Sequence, residues 1–230
     1  MATITELGTR SVATLGTSTN STTVTLSGAP AIVVTSMANA AASFNISGVV
    51  WNGAAEALTQ LAADSNSTQA GIDVWYIDAP TPGTNTFTVS HSNNSNRRNI
   101  CVYEVSGYDT SSSSAWRDAP VTDNNNTTDA ETAVTSATGD LPVLFITVRV
   151  TSSSPTLTLN GSSTSLTDFI GGTTLRTYAC YGSGAASVTL GGTLTGAAST
   201  AAVGLNINTA AGGGSSIAAI VSGYQQRGLM

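Results

Sequence analysis

Catalytic chemistry would have to draw on very few residues of this chain. It has one histidine, His91, two cysteines and seven basic residues, all of them arginine. A Ser-His-Asp site could use only His91, which follows a strand-like segment and precedes a polar loop, so we interpret it as a strand-end residue. Zinc sites built on several His or Cys ligands are excluded, because the chain has one His and two separated Cys. P-loop and lysine Schiff-base chemistry are excluded, because the chain has no lysine. We therefore predict that the protein is not an enzyme and binds no cofactor.

The acidic residues do not form a convincing reactive pair either. Asp73 and Asp78 lie on opposite faces of one predicted strand, so they cannot flank the same glycosidic bond. The segment 123–129 (DNNNTTD) offers oxygen ligands at alternate positions and superficially resembles a calcium loop. It lacks the glycine at its sixth position, and Val134 stands where a bidentate glutamate is needed. We interpret this segment as a turn rich in Asn and Asp.

Aromatic side chains are the better candidates for recognition. Trp116 lies in a long polar segment with Tyr108 and Arg117. We interpret Trp116 as a surface aromatic and these three residues as candidate ligand or assembly contacts, because aromatic rings stack on sugars. Trp51 and Trp75 lie in strand-like segments, which favours packing.

The two cysteines both lie in apolar, strand-like surroundings. Free cysteine commonly behaves as a small buried hydrophobe, so we predict that Cys101 and Cys180 are buried thiols. A disulfide would need their Cα atoms within about 7 Å, which the sequence does not settle.

Composition excludes two classes of partner. Only 9% of the 230 residues are charged, the net charge is −6, and polarity comes from 30 serines and 37 threonines. No basic stripe could neutralise a row of phosphates, so we predict no nucleic-acid binding. The apolar segment 141–150 is far shorter than the ~20 residues that a membrane helix needs, so we predict no membrane insertion.

The apolar pattern has a period of two and predicts an all-β fold, an antiparallel β-sandwich. Asn52-Gly53 predicts a hairpin between residues 44–51 and 57–61, and residues 133–138 and 141–151 predict a second one. The segment 72–78 is apolar on both faces, which indicates a strand covered on both sides. Residues 107–132 contain no convincing strand and are predicted to be a surface excursion.

The chain is predicted to have one domain with two extensions. Residues 1–21 read as an N-terminal arm, residues 22–209 as the sandwich, and residues 210–230 as a Gly-rich linker with a C-terminal tail. We predict that the tail contacts other chains through Ile217, Tyr224 and Arg227. With no lysine to protect exposed strand edges, neighbouring subunits are expected to cover them.

The order of motifs resembles a known module. The resemblance lies in the runs FNISGVVWNGAAEALTQLA, IDVWYIDAPTPGTNTFTVSHS, NICVYEVSGYDTSS and TAVTSATGDLPVLFITV, with the matching positions at residues 53–58, 73–76, 79–83, 86–89 and 105–109. They resemble a jelly-roll-like β-sandwich module of bacterial surface proteins and of tailed-phage virion structural proteins. The resemblance implies a binding or assembly module without a catalytic site of its own.

Two functions follow as expectations. The absence of a secretory signal and the presence of Met1 favour a virion protein made in the host cytoplasm, as a capsid decoration or a tail component. Its expected partners are other virion proteins and copies of itself in a homo-oligomer. The alternative is a carbohydrate-binding or adhesin module, extracellular or at a cell surface, that recognises host glycans through Tyr108, Trp116 and Arg117.

Overall fold

The computed structural model describes residues 1–12, 19–38, 46–51, 58–66, 70–91, 97–111, 116–125, 128–150, 155–171, 175–195 and 198–209. These residues form sixteen strands, and every strand pairing is antiparallel, so the predicted all-β class and antiparallel β-sandwich are confirmed. Among these residues no helix is long and apolar enough to cross a bilayer. The strands are β1 (Thr3–Val12), β2 (Thr19–Leu26), β3 (Ala31–Ala38), β4 (Ile46–Trp51), β5 (Thr59–Asn66), β6 (Ala70–Ile77), β7 (Gly83–His91), β8 (Arg97–Ser106), β9 (Val121–Asn125), β10 (Asp129–Thr135), β11 (Leu141–Val150), β12 (Leu157–Leu159), β13 (Thr164–Gly171), β14 (Leu175–Tyr181), β15 (Ser187–Leu194) and β16 (Ala198–Ile207).

The strands form four sheets that repeat one plan twice. The first eight strands give a five-stranded sheet, β1-β8-β3-β6-β5, and a three-stranded sheet, β2-β7-β4. The last eight give β9-β16-β11-β14-β13 and β10-β15-β12. Adding eight to each strand number of the first half reproduces the second half in full. The single sandwich expected over residues 22–209 is therefore two sandwiches, which we call the first half (β1–β8) and the second half (β9–β16).

The repeat extends to strand register. Each half has one irregularity between its fifth and sixth strands, and in each the residue that the pairing skips is a leucine, Leu61 or Leu166. The flanking cross-strand pairs occupy matching positions, Thr59 with Tyr76 and Ala62 with Val74 in the first half, Thr164 with Tyr181 and Thr167 with Ala179 in the second. A β-bulge fixes register because it displaces every later pair by one residue.

The turn after the second strand is also shared. Gly28 follows β2 with a φ of 100°, and Gly139 follows β10 with a φ of 97°. Only glycine adopts this left-handed backbone readily. In both halves the turn leads directly into the strand at the middle of the five-stranded sheet.

Three apolar cores separate the four sheets. Each half has its own core between its two sheets, with Trp51 and Phe87 in the first half and Ile146 and Leu190 in the second. The third core lies between the two five-stranded sheets and is built from both halves, including Val34 and Phe145. We call it the middle core. Because it covers the second face of both five-stranded sheets, β3, β6 and β8 are buried on both sides, as predicted for residues 72–78.

The two halves meet as the subunits of a symmetric homodimer do. Edge strand β1 contacts β13, and the matching contact is β9 with β5, while the two middle strands β3 and β11 contact each other. At this centre the buried Thr147 hydroxyl donates a hydrogen bond of 2.6 Å to the Ser36 hydroxyl. Reciprocal contacts of this kind define an isologous interface.

Four expectations about strand organisation are wrong. β4 and β5 do not form a hairpin, since β4 pairs with β7 and β5 with β6. β10 and β11 do not form one either, since β10 pairs with β15 and β11 with β14 and β16. Residues 107–132 contain β9 and the start of β10. In all three cases a local turn or a polar composition suggested the structure, whereas pairing with distant strands determined it.

The N-terminal arm is the fourth wrong expectation. Residues 3–12 form β1, which pairs along its length with β8, and residues 19–21 belong to β2. Ala2 and Ile4 are buried in the middle core, so this segment packs into the fold. The Asn52-Gly53 turn and the C-terminal segment 210–230, with Ile217, Tyr224 and Arg227, lie outside the described residues.

Candidate functional site

The residues predicted to bind a ligand lie on the connection between the two halves. This connection runs beside the end of β16, where Tyr108 bridges Thr209 and Arg117 bridges Ile207. The backbone N–H of Asn208 donates to the carbonyl of Trp116 at 2.8 Å, which ties the same segment to the end of β16. Backbone pairing thus fixes where Tyr108, Trp116 and Arg117 are placed.

The three predicted residues do come together, and Tyr76 and Asp78 join them to form what we call the linker cluster. The Trp116 ring lies 6.0 Å from the ring of Tyr76 and 6.4 Å from that of Tyr108, both edge to face. The Arg117 guanidinium lies 3.8 Å from the centre of the Tyr76 ring, within cation–π range. The Trp116 indole N–H donates to the Asp78 carboxylate at 2.7 Å.

Trp116 is not a surface aromatic. Its side chain is 1% exposed and packs into the middle core. Burial is affordable because Asp78 accepts the indole N–H. Tyr108 and Arg117 are only partly exposed. The linker cluster therefore closes one end of the middle core, and its tryptophan offers no face to a sugar ring.

A second polar cluster lies where β16 ends. The amide nitrogen of Asn206 faces the carboxylates of Asp118 at 2.8 Å and Asp140 at 3.0 Å, and the side-chain oxygen of Asn208 at 2.8 Å. The Thr209 N–H donates to Asp140 at 3.0 Å, and the N–H of Ala2 donates to the Thr209 hydroxyl at 3.2 Å. The start of the chain and the end of the second half thus meet at one end of the molecule.

These oxygens are of the type that binds Ca²⁺, but the Asn206 amide stands between the two carboxylates and bonds both. Across the described ranges, no group of three or more His, Cys, Asp and Glu side chains could hold a metal ion.

The segment expected to be a turn rich in Asn and Asp is partly strand, since Asp123 lies in β9 and Asp129 begins β10. Burial, followed by the nearby charges of Asp64 and Asp129, raises the pKa of Asp123.

The first half buries a carboxyl group in its interior. Asp73 is 3% exposed and accepts a hydrogen bond of 2.6 Å from the Gln60 side chain. Burial raises the pKa of Asp73 to about 6, and the Gln60 bond opposes part of that shift. Its cross-strand neighbour Thr35 has a buried hydroxyl without a hydrogen-bond partner among the described residues. Asp78 lies just beyond the end of β6 and bonds Trp116 at the middle core, away from the Asp73–Gln60 pair.

The cysteines are buried free thiols, as predicted. Cys101 belongs to the middle core and Cys180 to the core of the second half, so a five-stranded sheet separates them. Burial raises the pKa of Cys101 to about 12 and that of Cys180 to about 11. Both thiols therefore stay protonated at neutral pH and are poor nucleophiles. His91 ends β7, as predicted from its position.

The outer face of the first half carries a regular array that we call the hydroxyl face. Along β2 and β7 every outward position is serine or threonine, in four directly opposed pairs: Thr19 with Ser90, Ser21 with Thr88, Thr23 with Thr86, and Thr25 with Thr84. Three pairs join through their hydroxyl oxygens at 2.9, 3.0 and 3.5 Å. No Asp, Glu, Lys or Arg occurs in either strand. Strict alternation in residues 19–25 and 84–90 is the sequence signal for this face.

Neither the protein-family models nor the curated proteins nor the solved structures contain a match to this chain. A function for this chain therefore has to be inferred from its own geometry and from the motifs in its sequence.

Proposed function

We propose that the protein is a non-enzymatic structural protein of a virion, a capsid decoration or a tail component, that acts by assembling with copies of itself and with other virion proteins. The motif resemblance supplies the virion setting. The hydroxyl face is the observation that carries the assembly role. It is a regular, uncharged sheet surface, so a partner can cover it without stripping water from ionised groups.

The construction of the molecule supports the same role. Both five-stranded sheets are covered on both faces, and an apolar core lies against each face. Among the described residues, the two buried thiols lie in different cores, Cys101 in the middle core and Cys180 in the core of the second half, and the buried carboxyl of Asp73 bonds Gln60. The outer surface of the molecule is therefore the part that can contact other molecules.

A charge pair placed on the hydroxyl face tests the assembly role. Thr23→Glu with Thr86→Glu puts two like charges directly opposite each other on that face. The matched control is Thr3→Glu with Ser106→Glu, a second exposed hydroxyl pair, bonded at 2.6 Å across β1 and β8. Sedimentation velocity at rising protein concentration gives the readout, and circular dichroism confirms that both variants are folded.

We expect the native chain and the control to associate and the Thr23/Thr86 variant to remain monomeric. A native chain that is still monomeric at about 100 µM, or equal association of all three proteins, would refute assembly through this face. The virion setting is tested separately, by mass spectrometry of purified particles, in which the chain is expected at a stoichiometric copy number.

A further inference from the structure

The second half has an open cavity, lined mostly by exposed residues, that lies apart from the hydroxyl face of the first half. It has a volume of about 570 Å³ and lies between the turn after β12 and the connection from β14 to β15. Five hydroxyl side chains and one aromatic ring line it, from Ser162, Thr164, Ser183, Ser187, Thr189 and Tyr181. The remaining lining residues are Gly, Ala and Val, so the lining has no charged side chain.

Hydrogen bonds hold the turn that forms one wall. The Asn160 side chain accepts from the N–H of Ser162 at 3.2 Å and from the Ser163 hydroxyl at 2.9 Å. Its amide group donates to Glu131 at 2.8 Å and to the carbonyl of Thr189 at 3.2 Å. One side chain thus links this wall to two strands of the three-stranded sheet.

Backbone bonds hold the opposite wall. The N–H of Gly182 donates to the carbonyl of Pro142, and that of Gly184 to the carbonyl of Asp140, both at 3.0 Å. A Cβ on Gly184 would lie 2.1 Å from the carbonyl oxygen of Ala137, so only glycine lets the connection lie this close to the β10–β11 turn. Both walls are therefore fixed before any ligand arrives, which lowers the entropic cost of binding.

The first half is built differently at the matching place. Its connection from β6 to β7 contains Pro80, which is buried, and Pro82, whose ring lies close to Gly28. The second half has Gly, Ser and Ala between β14 and β15 instead. The connection in the second half therefore contains no proline ring.

We propose that this cavity is a binding site for an uncharged carbohydrate of mono- or disaccharide size. Its volume falls in the range of about 300–1,000 Å³ that small-molecule sites occupy. Its hydroxyl groups both donate and accept hydrogen bonds, as sugar hydroxyls do, and none of them bonds another described residue. The half-buried Tyr181 ring, packed on one side against the middle core, provides a surface for the apolar face of a sugar. An ionised ligand would find no countercharge in the lining.

The test uses the full chain with a panel of glucose, galactose, mannose, N-acetylglucosamine, maltose and lactose, and with glucuronate as the charged comparison. Ligand-observed NMR detects binding, and titration gives the affinity. Ala185→Trp fills the cavity from an exposed lining position, and Ala186→Trp is the matched control, exposed and adjacent but outside the lining. Tyr181→Ala is a second variant that empties the stacking surface.

We expect at least one neutral sugar to bind with a Kd of about 1 mM or tighter. Ala185→Trp should weaken that binding at least tenfold, Tyr181→Ala on the order of tenfold, and Ala186→Trp should leave it unchanged. The proposal is overturned if no neutral sugar binds, if glucuronate binds more tightly than every neutral sugar, or if Ala185→Trp binds as the native chain does. None of these outcomes bears on the hydroxyl face, so the assembly role stands or fails by its own test.

Discussion

The first and second halves share one strand plan but fill it with different side chains. Where the middle strand meets its neighbour, the first half has Thr35 opposite Asp73, whereas the second has Ile146 opposite Tyr178. The first half also buries Arg98, whose burial lowers its pKa. The shared strand plan therefore does not depend on a uniformly apolar interior in each half. The shared bulge, the shared glycine turn and the middle core are the features that both halves retain.

The middle core is itself uneven about its centre. On one side the buried Tyr103 hydroxyl donates to Thr167 at 2.9 Å, and Thr167 in turn donates to Glu6. On the other side Leu205 and Ala62 pack as apolar groups. An interface between identical copies would have to be the same on both sides, so fusion in one chain allows this specialisation.

The largest expected effect tests whether the halves depend on each other. Phe145→Ala removes a fully buried ring of the second half from the middle core and should lower the free energy of unfolding by about 3–5 kcal/mol. All three tryptophans, Trp51, Trp75 and Trp116, precede β9, so tryptophan fluorescence reports on the first half and the connection. We expect the fluorescence transition in urea to shift together with circular dichroism. An unshifted fluorescence midpoint would mean that the halves unfold separately.

The second prediction concerns the pH dependence of stability that the buried Asp73 carboxyl gives to the first half. The pKa of Asp73 in the folded chain, about 6, lies above the ~3.9 of an unfolded aspartate, so the fold binds the proton more tightly. The contribution of Asp73 to the free energy of unfolding is therefore fully present below about pH 4, is lost as pH rises from about 4 to 6, and stays lost above that. Asp73→Asn should abolish this part of the pH dependence and stabilise the protein at pH 7 by about 3 kcal/mol, since the pKa difference of about two units corresponds to about 1.36 kcal/mol per unit.

Urea unfolding at pH 3.5, 5 and 7 measures the Asp73 effect. At pH 3.5 the two proteins should have nearly equal stability, because the carboxyl is then protonated in both states. A variant that is less stable than the native chain at pH 7 would show that the Asp73 charge is stabilised in a way that burial and the Gln60 bond do not explain.

A smaller effect tests the hydrogen bond at the centre of the molecule. Ser36→Ala leaves the buried Thr147 hydroxyl without its acceptor and should cost about 1–3 kcal/mol. Ser36→Ala combined with Thr147→Val removes both partners and should recover part of that loss. A double-mutant cycle from unfolding free energies gives the coupling, and a coupling near zero would show that the two hydroxyls contribute independently.

Alternation was enough to predict many of the strands but not their partners. Residues 72–78, 86–91 and 141–151 matched β6, β7 and β11 closely. The Asn52-Gly53 signal still gave a wrong hairpin, because alternating strands of similar composition satisfy many pairings equally well. The sequence does not reveal the repeat either. Equivalent positions such as Thr35 and Ile146 carry side chains of different polarity, and only the strand register shows that they correspond.

The sequence predicts which residues form the linker cluster but not that its tryptophan is buried. Tyr108, Trp116 and Arg117 do lie together, but their polar neighbours in the sequence gave no sign that Trp116 fills the end of a core built from strands far along the chain. The cavity beside Tyr181 depends on backbone bonds from Gly182 and Gly184 to the β10–β11 region, and nothing in a Gly/Ser/Ala run specifies such partners.

Differential scanning calorimetry of the full chain tests the central claim that the middle core joins two similar sandwiches into one cooperative block. The claim predicts a single transition whose van't Hoff enthalpy equals the calorimetric enthalpy. Two resolved transitions, or a van't Hoff enthalpy near half the calorimetric value, would contradict it and would make the halves two independent domains on one chain.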